Sequence, residues 1–402
     1  MPTITFEKLA FHDLKDMVQI SLMQHYYFDV SKAELEHIAP FTLERNAITF
    51  NGISDQSANN KFGFLLARHM THLKTRFNKR DVVYIHRNSG IPLLGSLYFG
   101  IVDKGTNIIE VKPNTGCNAS CVFCSVGEGP AEKTSWKTDY VLEVEYLLDE
   151  LRKLIEYKDQ KVTIYINPHG EPLLYVDIVE LVRGIRAIPL VDRIHIITNG
   201  MLLTKELVDQ LSDAGLSFFN ISMHALDPTM AKEILGTSAY NVERIKEIAT
   251  YIKQHSKVDL LITPVLMHNI NDAEMEKIIE FCTSIGCTHI GIQNFLENRR
   301  GRNPAKEMPW DAFHALLRAW EEKHGVKLII QDKLEETRQY DKPFKRDDAV
   351  MAEVVCNGRA RNEKIAAAKG RCIMVPHCEK DGRIRVRITK SLHNIFVGEV
   401  VG

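Results

Sequence analysis

Between Ile108 and Gln293 the chain alternates short Val/Ile-rich runs with amphipathic stretches, and this alternation limits the fold more than any other feature. The apolar runs are Ile108 to Val111, Val162 to Ile166, Arg193 to Ile197, Phe218 to Ser222, Asp259 to Thr263 and His289 to Gln293. Helical spacing covers Tyr140 to Tyr157, Ile178 to Ala187, Thr204 to Ala214, Asn241 to His255 and Ala273 to Ile285. Apolar strands separated by helices mean a parallel sheet with helices outside. Such sheets bind ligands beyond the C-terminal ends of their strands. Chemistry is therefore expected just after each apolar run.

The polar signals fall there. The first run leads into Cys117-Asn-Ala-Ser-Cys121-Val-Phe-Cys124, three cysteines with three and then two residues between them, followed by Ser125-Val-Gly-Glu-Gly129. Sulfur donors suit iron-sulfur clusters or zinc. A closed structural zinc site normally takes a fourth protein ligand, and no fourth Cys or His lies nearby. Three thiolates hold three irons of a cubane and leave the fourth iron free for a small molecule. The second run leads into His169-Gly170-Glu171-Pro172, the third into Thr198-Asn199-Gly200, the fourth into Ser222-Met223-His224-Ala225 and the sixth into Ile292-Gln293-Asn294. Asp227-Pro228 opens a further helix as cap and first turn.

The order C-x-x-x-C-x-aromatic-C resembles the signature of the radical S-adenosylmethionine (SAM) superfamily. The resemblance implies a partial (β/α)6 barrel and a 4Fe-4S cluster on Cys117, Cys121 and Cys124. In that family the free iron chelates SAM, and one electron cleaves the sulfonium to a 5'-deoxyadenosyl radical that abstracts hydrogen from substrate. His169-Gly170-Glu171-Pro172 is similar to the family's Gly-Gly-Glu-Pro, with His169 in place of the first Gly. The SAM contacts implied are Phe123, Gly170, Glu171, Pro172, Thr198, Asn199, Ser222, His224 and Gln293. His169 and His224 each have two readings: a substrate contact or proton relay, or a histidine satisfied by backbone hydrogen bonds. No residue is assigned to catalysis beyond the cofactors. An electron donor such as a ferredoxin or flavodoxin is implied as partner.

Length and charge add limits. A chain of 402 residues suggests two or three domains. With 51 Lys and Arg against 52 Asp and Glu, overall charge says nothing of partners. No basic, apolar leader and no membrane-length apolar run is seen, which predicts a soluble cytoplasmic protein and no membrane partner. Eight cysteines are too few for a disulfide scaffold and fit a reducing compartment. Residues 1–106 read as an accessory α/β domain, with helical spacing at Leu9 to His25 and Ala58 to Phe77 and strands at Asp81 to His86 and Leu97 to Val102. Its basic stretch from His69 to Arg80 reads as a solvated helix edge in preference to a nucleic-acid face. Residues 107–331 form the barrel and 332–349 a linker. At its mouth side, Glu297 to Pro304 carries Arg299, Arg300 and Arg302, which either contact phosphates or form an ordinary loop. Pro309 to His324 reads as a helix and Val326 to Ile330 as a strand.

Residues 350–402 change character. Short strands at Val354-Val355, Cys372 to Val375, Arg383 to Ile388 and Asn394 to Val401, separated by Asn-Gly, Lys-Gly and Asp-Gly, predict a small antiparallel β barrel. The run from Asp381 to Val400 resembles the end of a TRAM domain, an RNA-binding β barrel. Arg383, Arg385 and Arg387 alternate with Ile384, Val386 and Ile388, which places three guanidinium groups on one face. Such a face suits RNA phosphates; a charge-protected edge strand is the competing reading. Arg359, Arg361, Lys364, Lys369, Arg371, Lys380 and Lys390 add to the basic character. Cys356, Cys372 and Cys378 either hold a second iron-sulfur cluster or metal, serve as a covalent carrier, or are buried thiols. Cys282 and Cys287 read as core. The leading reading is a radical SAM enzyme acting on RNA, with tRNA foremost. The alternatives are a protein, peptide or small-metabolite substrate, and a nonenzymatic RNA-binding iron-sulfur protein.

Overall fold

The computed structural model describes residues 1–129, 137–298, 301–329 and 334–402. Among these, one seven-stranded sheet takes its strands in sequential order: β1 (Gly100–Asp103), β2 (Ile108–Lys112), β3 (Val162–Ile166), β4 (Val191–Thr198), β5 (Phe218–Ile221), β6 (Asp259–Ile262) and β7 (His289–Ile290). Strands β2 to β7 run parallel and β1 is antiparallel to β2. The crossovers are α1 (Val144–Lys158), α2 (Ile178–Arg186), α3 (Lys205–Asp213), α4 (Pro228–Leu235), α5 (Val242–His255) and α6 (Asp272–Ser284); α7 (Trp310–His324) follows the sheet.

The elements start where the local chemistry says they should. Thr204, Asp227 and Asn241 each accept a hydrogen bond from the third backbone N–H of the helix they precede, and Pro228 fills a position whose N–H would have no partner. Ile164, Ile166, Ile194, Ile196, Phe219, Ile221, Leu260 and Ile262 are fully buried on the face that meets the helices. Each contributes roughly 1.5–3 kcal/mol of transfer free energy. The alternate residues Thr163, Tyr165, Ile197 and Leu261 are only half-buried and face the concave side. That side opens toward the polar strand ends.

The N-terminal region departs from expectation. Leu9 to His25 forms antiparallel strands at Leu9–Asp13 and Met17–Leu22, paired in turn with Tyr26–Ser31, instead of a helix. Val18, Ile20 and Leu22 alternate inward, and two short strands joined by a turn imitated helical spacing. The expected helix from Ala58 to Phe77 is Asp55–His69, capped by Ser54 and ended by a tight turn at Met70–His72. Val82–Ile85 is a strand as expected, and it pairs with Asp139–Leu142, of which Tyr140 to Leu142 had been read as helix. The strand expected from Leu97 starts at Gly100. Val326 to Ile329 is irregular, with the N–H groups of Leu328 and Ile329 held by the Glu321 carboxylate. Ile330 and the barrel's last expected residue, Gln331, lie outside the described residues, as do Asp332 and Lys333.

The C-terminal segment is a closed barrel of β8 (Ala349–Asn357), β9 (Glu363–Ala368), β10 (Arg371–Pro376), β11 (Arg383–Lys390) and β12 (Phe396–Val400), in the order β8-β9-β10-β12-β11. Its interior holds Ala352, Ala366, Ile373, Val375, Ile384, Val386, Ile388 and Phe396, with Phe344 across one end. Strand β9 had no expectation, because its alanines carry little strand signal. Among the described residues no helix is long and apolar enough to cross a membrane.

Candidate active site at the mouth of the parallel sheet

The cysteine loop begins where β2 runs out. Thr115–Gly116 continues beyond β2 alongside His169–Gly170 in parallel. A Cβ on Gly170 would lie 1.9 Å from the Gly116 carbonyl oxygen, and its φ of +156° is one that side chains rarely adopt, so glycine is required. Cys117, Cys121 and Cys124 follow, and all three line one cavity of about 360 Å³. Phe123, Gly170, Glu171, Thr198, Asn199, Ser222, His224 and Gln293 line the same cavity. Pro172 stands behind this wall, buried as the first residue of a tight turn. The residues named from the strand ends are thus brought together from five separate segments.

Glu171 is the hub of that assembly. Its Oε1 accepts from Thr198 Oγ1 at 2.5 Å and from the Leu173 N–H at 3.1 Å, while Oε2 accepts from the Asn199 N–H at 2.9 Å. One carboxylate therefore ties the end of β4 to the segment after β3. Burial pushes its carboxyl up to about 7 despite those three donors. Asn199 turns its amide toward the loop, donating to Asn118 Oδ1 at 2.8 Å with Cys117 Sγ at 4.0 Å.

His224 is 2% exposed, and burial pushes it down to about 3, so the ring is neutral. Nδ1 accepts the Val265 N–H at 3.0 Å, which fixes the proton on Nε2. Nε2 has no partner among the described residues, and the ring sits edge-on to Phe123 with centroids 4.4 Å apart. A buried N–H donor on the cavity wall is thus left for a ligand. His169 faces elsewhere, its ring near Tyr98 at 5.9 Å and held neutral by burial.

The loop is clamped by parts of the chain that sequence reasoning did not connect with it. The N–H groups of Ser120 and Val122 bond to the carbonyls of Leu235 and Ile234 at the end of α4. Arg302 donates its backbone N–H to the Cys124 carbonyl at 3.0 Å and Nη1 to the Cys121 carbonyl at 2.9 Å. Gly301 lies so close that a Cβ would be 2.8 Å from the Cys124 oxygen. Arg302 had been read as either a phosphate ligand or an ordinary loop residue, and the structure gives it to the cysteine loop. Arg299 and Arg300 lie outside the described residues. Nothing short-range in the sequence announces the clamp.

The C-terminal cysteines are divided. Cys372 and Cys356 pack on the main core, and Cys372 Sγ donates to the Pro92 carbonyl at 3.1 Å. Cys378 lies in the separate core of the small barrel. Among the described residues no three His, Cys, Asp or Glu side chains converge on a single metal ion. Cys282 and Cys287 are buried in the core, as read. Arg383, Arg385 and Arg387 are exposed on one face with Ile384, Val386 and Ile388 inside. Across the strands, Glu353 lies opposite Arg383, Met351 opposite Arg385, and Glu399 pairs with Arg387. Arg359 is not on that face but buried.

A family model described as the radical SAM superfamily matches residues 111–282, the cysteine loop and most of the parallel sheet. An uncharacterized protein of Methanocaldococcus jannaschii is 36% identical over 363 residues, covering 82% of this chain and 83% of that one. The chain belongs to the radical SAM superfamily. A GTP 3',8-cyclase of Listeria monocytogenes is 33% identical to this radical SAM protein over 180 residues, 43% of this chain and 49% of the cyclase, so the chain spans about half that relative's length. Among solved structures, SuiB of Streptococcus suis is 15% identical and covers 81% of this chain and 70% of that one, with a TM-score of 0.43.

Radical SAM enzymes use a 4Fe-4S cluster and SAM, and the three cysteine sulfurs lining this cavity are the donor type that such a cluster takes. Burial and the Glu171 charge push the Cys117 thiol up, and burial with the neighbouring Cys124 pushes Cys121 up to about 12. Bound iron would stabilise the thiolates against that effect, with release of protons on loading.

Proposed function

We propose that Cys117, Cys121 and Cys124 hold the cluster, that the adjoining cavity binds SAM, and that the radical made there is spent on RNA, with tRNA foremost. When bound, the cluster supplies the electron that breaks a carbon–sulfur bond of SAM and yields the 5'-deoxyadenosyl radical. The protein's share is placement. Glu171 keeps the strand ends in register, His224 offers a neutral N–H donor, and Phe123 screens the inner wall from water. Gln293, which lines the cavity at the far strand end, would meet the adenine side. A one-electron donor, a ferredoxin or flavodoxin, completes the requirement.

The observation that carries the RNA reading is the exposed arginine row on a closed barrel whose interior is filled, since such a barrel has only its outer face to offer a ligand. The TRAM-like run at Asp381 to Val400 supports it. A second reading, a free nucleotide as substrate, is favoured by the likeness to GTP 3',8-cyclase and by the glutamates that face two of the three arginines. The test is anaerobic reconstitution with dithionite and SAM, reading 5'-deoxyadenosine with bulk tRNA, with GTP and with neither. Formation stimulated by tRNA and insensitive to GTP supports the first reading. Stimulation by GTP alone supports the second, and formation indifferent to both points to a peptide or other metabolite.

A further inference from the structure

At the root of the cysteine loop lies a group of buried charges, one of which, Glu128, also lines the cavity. Arg80 of the N-terminal region, Glu128 of the loop, Asp139 before α1 and Arg359 between β8 and β9 are each at most 5% exposed. Arg359 Nη2 and Arg80 Nη1 reach the same oxygen, Glu128 Oε2, at 2.6 and 2.9 Å, and Lys137 Nζ reaches Glu128 Oε1 at 3.0 Å. Arg359 Nη1 pairs with Asp139 and donates to Thr115 Oγ1 at 3.1 Å. Buried ion pairs give little net stability against apolar packing, so their retention calls for another reason.

The position supplies one. Thr115 stands just before Cys117, and the Glu128 backbone N–H donates to Cys124 Sγ at 3.3 Å. Arg359 thus holds the loop at both ends, from the C-terminal barrel. Glu128 is kept ionised, at about 2 against the effect of burial, by Arg359, Lys137 and Arg80. A positive charge beside a cluster favours its reduced, more negative form, and a negative charge opposes it.

We propose that Arg359 is a positioning residue for the iron-sulfur cluster, closing the cysteine loop from the C-terminal barrel and raising the cluster's reduction potential through the charge group behind Cys124. The inference rests on these three cysteines carrying the cluster.

The test is a mediated potentiometric titration of the reconstituted cluster followed by EPR, with iron per chain and the melting temperature of the apoprotein alongside. Arg359→Gln is expected to shift the potential negative and Glu128→Gln positive. The double variant, which removes one charge of each sign, should return near wild type. Tyr140→Phe is the uncharged control, removing the 2.9 Å bond from its hydroxyl to the Asn357 carbonyl of the same barrel; it should lower the melting temperature and leave the potential in place. Should Arg359→Gln fail to fold, Glu128→Gln and the double variant decide the matter. Potentials that ignore these charges, or move the same way in all three variants, overturn the inference. Wild-type protein without iron, or Cys124→Ala that retains its cluster, overturns the cluster assignment instead.

Discussion

Two sheets of this molecule solve opposite problems. The central parallel sheet keeps apolar residues on its helix side and leaves Glu171, Asn199, Ser222 and His224 around a cavity at its strand ends. The C-terminal barrel closes on itself, fills its interior with Ile, Val, Ala and Phe, and turns Arg383, Arg385 and Arg387 outward. An open sheet offers a ligand depth, and a closed small barrel offers surface. Chemistry that must exclude water suits the first, and under the proposed function the second would meet an extended charged partner.

The strongest way to break that division is Cys124→Ala. Loss of a supporting contact around a metal typically costs about 10–100-fold in affinity, so loss of a ligand should exceed ~100-fold, read as iron per chain and 5'-deoxyadenosine. Wild-type yield from this variant would remove the mouth from the reaction. Next comes Gly170→Ala, whose methyl collides with the Gly116 backbone; a loss of ~3 kcal/mol or more is expected by urea unfolding of the apoprotein.

A smaller effect comes from acid. His224 and His169 are each pushed down to about 3 by burial, while in the unfolded chain both titrate at about 6.5. The stability they contribute is therefore complete above about pH 6.5 and is lost as pH falls toward 3, at ~1.4 kcal/mol per pH unit for each histidine. His224→Gln should flatten the slope between pH 6 and 4 by about that amount; an unchanged slope would place the ring in water. The smallest expected effect sharpens the outer face. Arg385→Ala should lower the salt slope of tRNA binding by about 1, and Arg387→Ala by less, because Glu399 already pairs with that guanidinium. Slopes unchanged from wild type in the Ala variants of all three arginines would argue that the row contacts no phosphate.

Much of the centre was legible because its signals are local. A parallel strand announces itself by a Val/Ile run, a helix start by Thr204 or Asp227, and a metal loop by cysteine spacing. The N-terminal hairpin was not, since Leu9 to His25 carries enough apolar residues to satisfy either period and only pairing with Tyr26–Ser31 decides between them. Arg302 and Arg359 were read as part of basic segments because a residue's composition class does not reveal its partner. Their partners, Cys121 and Glu128, are set by the closure of the whole chain.

The clamp on the cysteine loop has a consequence for how the protein is made. Arg302 lies 181 residues beyond Cys121, and Arg359 is later still. While the chain is being synthesised, the loop emerges long before the residues that fix its shape. Its final form is therefore a late product of folding, although its sequence is an early one.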